Sequence, residues 1–254
     1  MRAGSRDRTA VAAVSVLAAS NVMTNRVLPP VAYVPWNLGL AATLVALARR
    51  AGCDDAALGL DRRDLRRGAV AGAAGAAMVA AGYGAVLASG AGRTAFADER
   101  VTSLSTSTAW WHVLVRIPLG TALAEEVAFR GVLPALLEGT SRPSWAPGAV
   151  SSLLFGVWHI LPARELRRQN ASVEGLATAH GELPVLVAQV AAMTAAGGVL
   201  HVLRRRAGHL VAPIGVHVAA NVLGLAAARW LARGTDRAGG VIAERTRPGR
   251  HTRR

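Results

Sequence analysis

The sequence predicts an all-α protein, a polytopic transmembrane helical bundle of about seven to eight membrane segments. Three observations carry that expectation. Hydrophobic residues make up 52% of the 254 and charged residues only 17%, below the roughly 25% of an average soluble domain. Apolar runs near the roughly twenty residues that span a bilayer as a helix recur along the chain. The 27 glycines, with many alanines, supply the small side chains that let helices pack closely in lipid.

The elements follow in order. The start is basic (Arg2, Arg6, Arg8) and then apolar, which mimics a signal peptide. Further spans follow, and Asn21 to Arg26 is a poor cleavage region, so residues 9–28 are read as a retained first helix. It ends at Asn25, Arg26 and the Pro29-Pro30 pair. Residues 31–48 form a second span, closed by Arg49-Arg50. Residues 54–67 are a charged loop, and 68–90 a third span rich in Ala and Gly. Residues 91–108 are polar and turn-rich.

Residues 109–138 are too long for one straight span and carry Arg116, Pro118, Glu125, Glu126 and Arg130. They read as a helix, a kink at Pro118 and a second, deeper piece. A short loop at 141–147 precedes a fifth span at 148–161. Residues 163–182 are polar and hold most of the remaining acids. Spans at 183–203 and 210–231 follow, the first stopped by Arg204-Arg205-Arg206. The tail from Arg233 is basic and expected to be disordered. Three regions result: N-terminal helices and a charged cytoplasmic loop (1–106), a catalytic-type helical core (107–233) and the tail (234–254).

All 29 basic residues are Arg, and the formal net charge is +14. Such charge invites a nucleic-acid reading. The arginines lie between apolar runs and in the tails, where basic loops hold helix ends on the cytoplasmic side. The partners expected are therefore the lipid bilayer and a peptide or membrane-protein substrate, with no nucleic acid. Seven simple spans cannot put every basic loop and both tails on one side. An extra crossing or a re-entrant piece is expected near 109–138. Cys53 is the only cysteine, which excludes an intrachain disulfide and a thiol metal cluster.

Three polar pairs interrupt the apolar helices. A charge at the bilayer centre costs at least about 2.5–3.5 kcal/mol on the insertion scale. Glu126 and Arg130 stand at i and i+4, on one helix face, and can pair. Glu125 is then rotated away and left without a partner, as a general base at neutral pH can be. Phe155 and His159 share the same spacing, so the ring can pack on the imidazole. His217 and Asn221 repeat it, and could bind a metal or donate to an oxyanion. Each pair alone also reads as interhelical glue. His112, His180, His201, His209 and His251 are read as interfacial or solvated, and Glu165, Glu174 and Glu182 as a solvated face.

In order along the chain, Glu125-Glu126-x-x-x-Arg130, Phe155-x-x-x-His159 and His217-x-x-x-Asn221 resemble the three motifs of the CPBP family of intramembrane proteases. That family includes CAAX prenyl endoproteases of the Rce1 type and bacterial Abi and bacteriocin-immunity proteins. The stretch AEEVAFRGVL at 124–133 agrees with it, and the resemblance spans about 109–228. It implies a CAAX-type intramembrane endopeptidase, a metalloendopeptidase by family. Glu125 would activate the attacking water, with Glu126 and Arg130 as structural partners. His159 would hold the water, and His217 and Asn221 would stabilise the oxyanion. If zinc is bound, Glu125, His159 and His217 would be its ligands. The Arg-only composition places the chain in a bacterial plasma membrane as a multi-pass protein. Two other readings compete: a non-catalytic immunity or scaffold protein that keeps the polar site, and a transporter using Glu125 and Arg130 as an ion relay.

Overall fold

A computed structural model describes residues 3–89, 103–138, 143–169 and 171–245. Their regular structure is entirely helical. Helix α1 spans Ala3–Val22 and continues through one π-helical turn, Met23–Val27. It stops where Leu28 turns extended before Pro29, because the residue preceding a proline is pushed out of the helical region. Helix α2 spans Tyr33–Arg50. The charged loop holds a short α3, Asp55–Leu58, started by Asp54, which accepts from the Ala57 N–H, and ended by Gly59 at φ 73°. Helix α4 spans Leu65–Ala88.

Helix α5 covers residues 106–137 as one helical run, begun by Ser105, which accepts from the Thr108 N–H. The expected break at Pro118 is absent. The run passes through Pro118 in π-helical geometry over His112–Leu123 and returns to it over Val127–Val132. A π-helical turn spaces backbone donors one residue further along, and such turns concentrate at functional sites. Residues 124–136 of α5 are buried without interruption. A helix buried on all sides is the centre of its bundle.

Then come α6 (Ala146–Trp158), α7 (Ile160–Gln169), α8 (Ala171–His180), α9 (Glu182–Ala207) and α10 (Val211–Arg245). The polar stretch expected after 163 is thus two short helices. The last helix continues past the expected end of its span. The parts of the expected polar segments at 90–102 and 139–142, and the tail from 246, lie outside the described residues.

Among the described residues, six helices are long and apolar enough to cross a membrane: Ser5–Val27, Pro30–Arg50, Arg62–Ala88, Ala146–Arg164, Glu182–Ala207 and Val211–Ala232. The chain is a multi-pass membrane protein. Helix α5 is not among the six, yet it runs the length of the bundle. Its start lies near α10, where Arg229 donates to the Leu104 carbonyl at 2.7 Å. Its last turn reaches the opposite end, where the Glu138 carboxylate pairs with Arg205 at 2.9 Å and its carbonyl accepts from Arg6. The stretch where an extra crossing or a re-entrant piece was expected is this buried helix, held by protein contacts.

The same end collects the arginines between spans. Arg6 donates to the Ala51 and Gly52 carbonyls at 3.3 and 3.0 Å, Arg204 to those of Ala56 and Ala57 at 3.0 and 2.6 Å, and Arg67 to that of Ala207 at 3.0 Å. These donors satisfy carbonyls left over at helix ends. Outward faces carry Val70, Met78, Leu114, Leu183, Val187 and Val199 in the open, as lipid contact requires.

Small residues set the closest packing. Gly148, Ser152 and Gly156 of α6 lie against Thr194, Gly197 and His201 of α9. A Cβ on Gly156 would collide with the Thr194 hydroxyl and lie 2.7 Å from the Val190 carbonyl. Gly156→Val is therefore expected to destabilise the bundle by about 1–3 kcal/mol, the usual cost of overpacking. A thermal melt in detergent reads this as a lowered midpoint, and an unchanged midpoint would refute the close approach.

Candidate active site

Three helices bring the polar pairs together. Helix α5 buries Glu125, Glu126 and Arg130, which are 8%, 0% and 2% exposed. Helix α6 ends at Trp158, so His159 sits in the turn before α7. Helix α10 contributes His217, 9% exposed, and Asn221 one turn later.

Glu126 anchors the cluster. Its Oε1 accepts from Arg130 Nη1 at 3.1 Å, the i, i+4 pair that the spacing predicts, and from His217 Nδ1 at 2.7 Å. One carboxylate oxygen thus ties α5 to α10. The Arg130 guanidinium also lies 3.9 Å from the centre of the Phe155 ring. That ring packs edge-on against His159, with centroids 4.5 Å apart. Phe155 therefore lies between the first motif's cation and the second motif's imidazole.

Glu125 departs from the sequence expectation in one respect: it is not without a partner. Trp158 Nε1 donates to Glu125 Oε1 at 3.2 Å. The other oxygen, Oε2, has no hydrogen-bond partner among the described residues. It faces His159 Nε2 and His217 Nε2, each at 3.9 Å. His159 Nδ1 is engaged by the Phe155 carbonyl at 2.7 Å. A carbonyl only accepts, so Nδ1 carries the proton and Nε2 of the neutral ring offers a lone pair. The contact to Glu126 likewise places a proton on His217 Nδ1. Two imidazole nitrogens and a free carboxylate oxygen thus converge from three helices. Asn221 is half-buried and makes no hydrogen bond to this group.

The donor set is of a kind that binds zinc, but the spacing is wide. Tetrahedral zinc with bonds of 2.0–2.1 Å holds neighbouring ligand atoms about 3.3 Å apart. Among the described residues no group of three His, Cys, Asp or Glu side chains is arranged to hold a metal. The 3.9 Å gaps instead match a water at ordinary hydrogen-bond distance, about 2.8 Å, from each of two atoms.

Residues 107–223 match the family model for type II CAAX prenyl endopeptidases, Rce1-like. That region is similar to Rce1-like endopeptidases. The matched region holds all three polar pairs and begins at the start of α5. No curated protein and no solved structure matches the chain.

Within the matched region, sequence reasoning missed Trp158. A signal was present: an indole in an apolar span beside a histidine needs an acceptor for its N–H when buried. Phe129, edge-on to both Phe155 and Trp158 at 5.3 and 5.7 Å, holds that indole in place. Trp158→Phe keeps the ring and removes the donor to Glu125. The expected result is about a tenfold lower kcat, since a hydrogen bond to a charged group contributes about 1.5–3 kcal/mol. A kcat equal to wild type would show that the indole only packs.

Proposed function

We propose that the chain is an intramembrane endopeptidase that hydrolyses a peptide bond of a membrane-associated or lipidated substrate, using a water activated by Glu125. The observation that carries this reading is the free Oε2 of Glu125 facing two imidazole nitrogens at 3.9 Å. A water in that gap loses a proton to Oε2 as its oxygen attacks the scissile carbonyl. His159 Nε2 orients the water. The carbonyl oxygen becomes an oxyanion, met by the Asn221 carboxamide and by His217, which enters the step as the imidazolium with both ring nitrogens already protonated. Glu126 stabilises that imidazolium through Nδ1. The proton on Glu125 then passes to the leaving amine as the C–N bond breaks, which restores the carboxylate.

If zinc binds, Glu125, His159 and His217 would hold it, and it would supply Lewis-acid activation of the same water. The wide spacing favours the metal-free route. The Arg-only composition fits a bacterial plasma membrane, with the arginine-rich end in the cytoplasm.

The test reconstitutes the full chain in liposomes with an internally quenched farnesylated peptide ending in Cys-aliphatic-aliphatic-X, and with an unprenylated membrane-tethered peptide. Cleavage of at least one is expected, and it should survive chelator treatment. Loss on chelation with recovery on added zinc would replace the metal-free route. No cleavage of either peptide would count against the endopeptidase reading.

A further inference from the structure

Two asparagines of the α1–α2 hairpin reach the site, although both precede the matched region. Asn21 donates Nδ2 to the Trp158 carbonyl at 3.0 Å. That carbonyl ends α6, where intrahelical donors have run out. The contact ties α1 to the turn that carries His159.

Asn37 of α2 goes further. It is 3% exposed, and no group among the described residues is hydrogen-bonded to its carboxamide. Its amide atoms are not among the fully enclosed unpartnered ones, so part of their surface faces open space. Asn37 borders, with Tyr33, Glu125, Phe129 and Trp158, a cavity of ≈ 10 Å³. That volume is near the smallest that holds one water, and a buried water needs two to four polar partners. Asn37 and Glu125 are two such groups on its wall.

We propose that Asn37 is a positioning residue for Glu125, acting through a water held in this cavity. The α1–α2 hairpin is then part of the reaction centre and not only a scaffold beside it. The water hydrogen-bonds to the Asn37 carboxamide and to the Glu125 carboxylate. It orients the carboxylate so that Oε2 stays aimed at the imidazoles. The proposal rests on the reading of Glu125 as the general base.

Asn37→Leu separates a positioning role from a structural one. Leu repeats the branched shape with the same number of heavy atoms and leaves no unpaired amide, although its methyl groups are bulkier. The expected result is about a tenfold fall in kcat on the farnesylated quenched peptide, with KM unchanged and a melting midpoint lowered by no more than the few degrees that the added bulk costs. Asn37→Ser leaves room for a further water and should recover part of the loss. A thermal double-mutant cycle on the purified full chain, Asn37→Leu with Glu125→Gln, needs no substrate. Linked side chains should give midpoint changes non-additive by about 3 °C or more. Additive changes overturn the proposal whatever the activity, and a wild-type kcat in Asn37→Leu overturns it as well. If the wild-type chain cleaves no peptide, the endopeptidase reading fails, and the cycle alone decides whether Asn37 and Glu125 are linked.

Discussion

Arg130→Ala should destabilise the bundle by about 3–5 kcal/mol, the cost of removing one partner from a buried ion pair. Arg130 is 2% exposed and Glu126 is fully buried. Truncating the arginine strands the Glu126 carboxylate in an apolar interior, opens a cavity beside Phe155 and leaves that ring without its cation. His217 keeps its contact to Glu126 and offsets only part of the loss. Unfolding in detergent monitored by circular dichroism measures the change. Replacing Glu126 and Arg130 together by Gln and Met should cost less than the two single changes added, because no lone charge remains. A single Arg130→Ala change with wild-type stability would mean that the pair is hydrated and not part of the core.

Glu125→Gln should lower turnover by about 10²- to 10⁴-fold, the usual contribution of a positioned general base. The amide is nearly isosteric and can keep the Trp158 hydrogen bond through its oxygen. It cannot take a proton from water. KM should therefore change little while kcat collapses, the signature of an interaction needed only in the transition state. Glu126→Gln differs. That residue faces Arg130 and His217, so its loss should appear in stability as well as in rate. Comparing the two variants separates the acid that performs chemistry from the acid that holds the site together.

The membrane bundle and the polar pairs were legible in the sequence because each leaves a local mark. Apolar runs of sufficient length announce spans, and i, i+4 spacing announces a shared helix face. Glu126 with Arg130 and Phe155 with His159 follow directly from that spacing. Contacts between helices leave no such mark. The Trp158 indole on Glu125 and the His217 imidazole on Glu126 depend on how α5, α6 and α10 are placed. Asn37 was invisible for the same reason: a lone Asn in an apolar span reads as tolerated polarity until a cavity is seen beside it. Pro118 misled for a local reason. A proline breaks an α-helix, but π-helical geometry accommodates it, and hydropathy does not distinguish the two. Nor does hydropathy reveal a buried central helix such as α5, whose charges are compensated rather than avoided.

The most direct test of the Glu125 mechanism is side-by-side cleavage of one membrane-tethered peptide by wild-type chain and Glu125→Gln, at equal amounts and matched melting midpoints, with products identified by mass spectrometry. Wild type should release a single pair of fragments that sum to the peptide plus one water, and the variant should leave the peptide intact over the same period. Equal cleavage by both would contradict a Glu125-activated water as the source of hydrolysis.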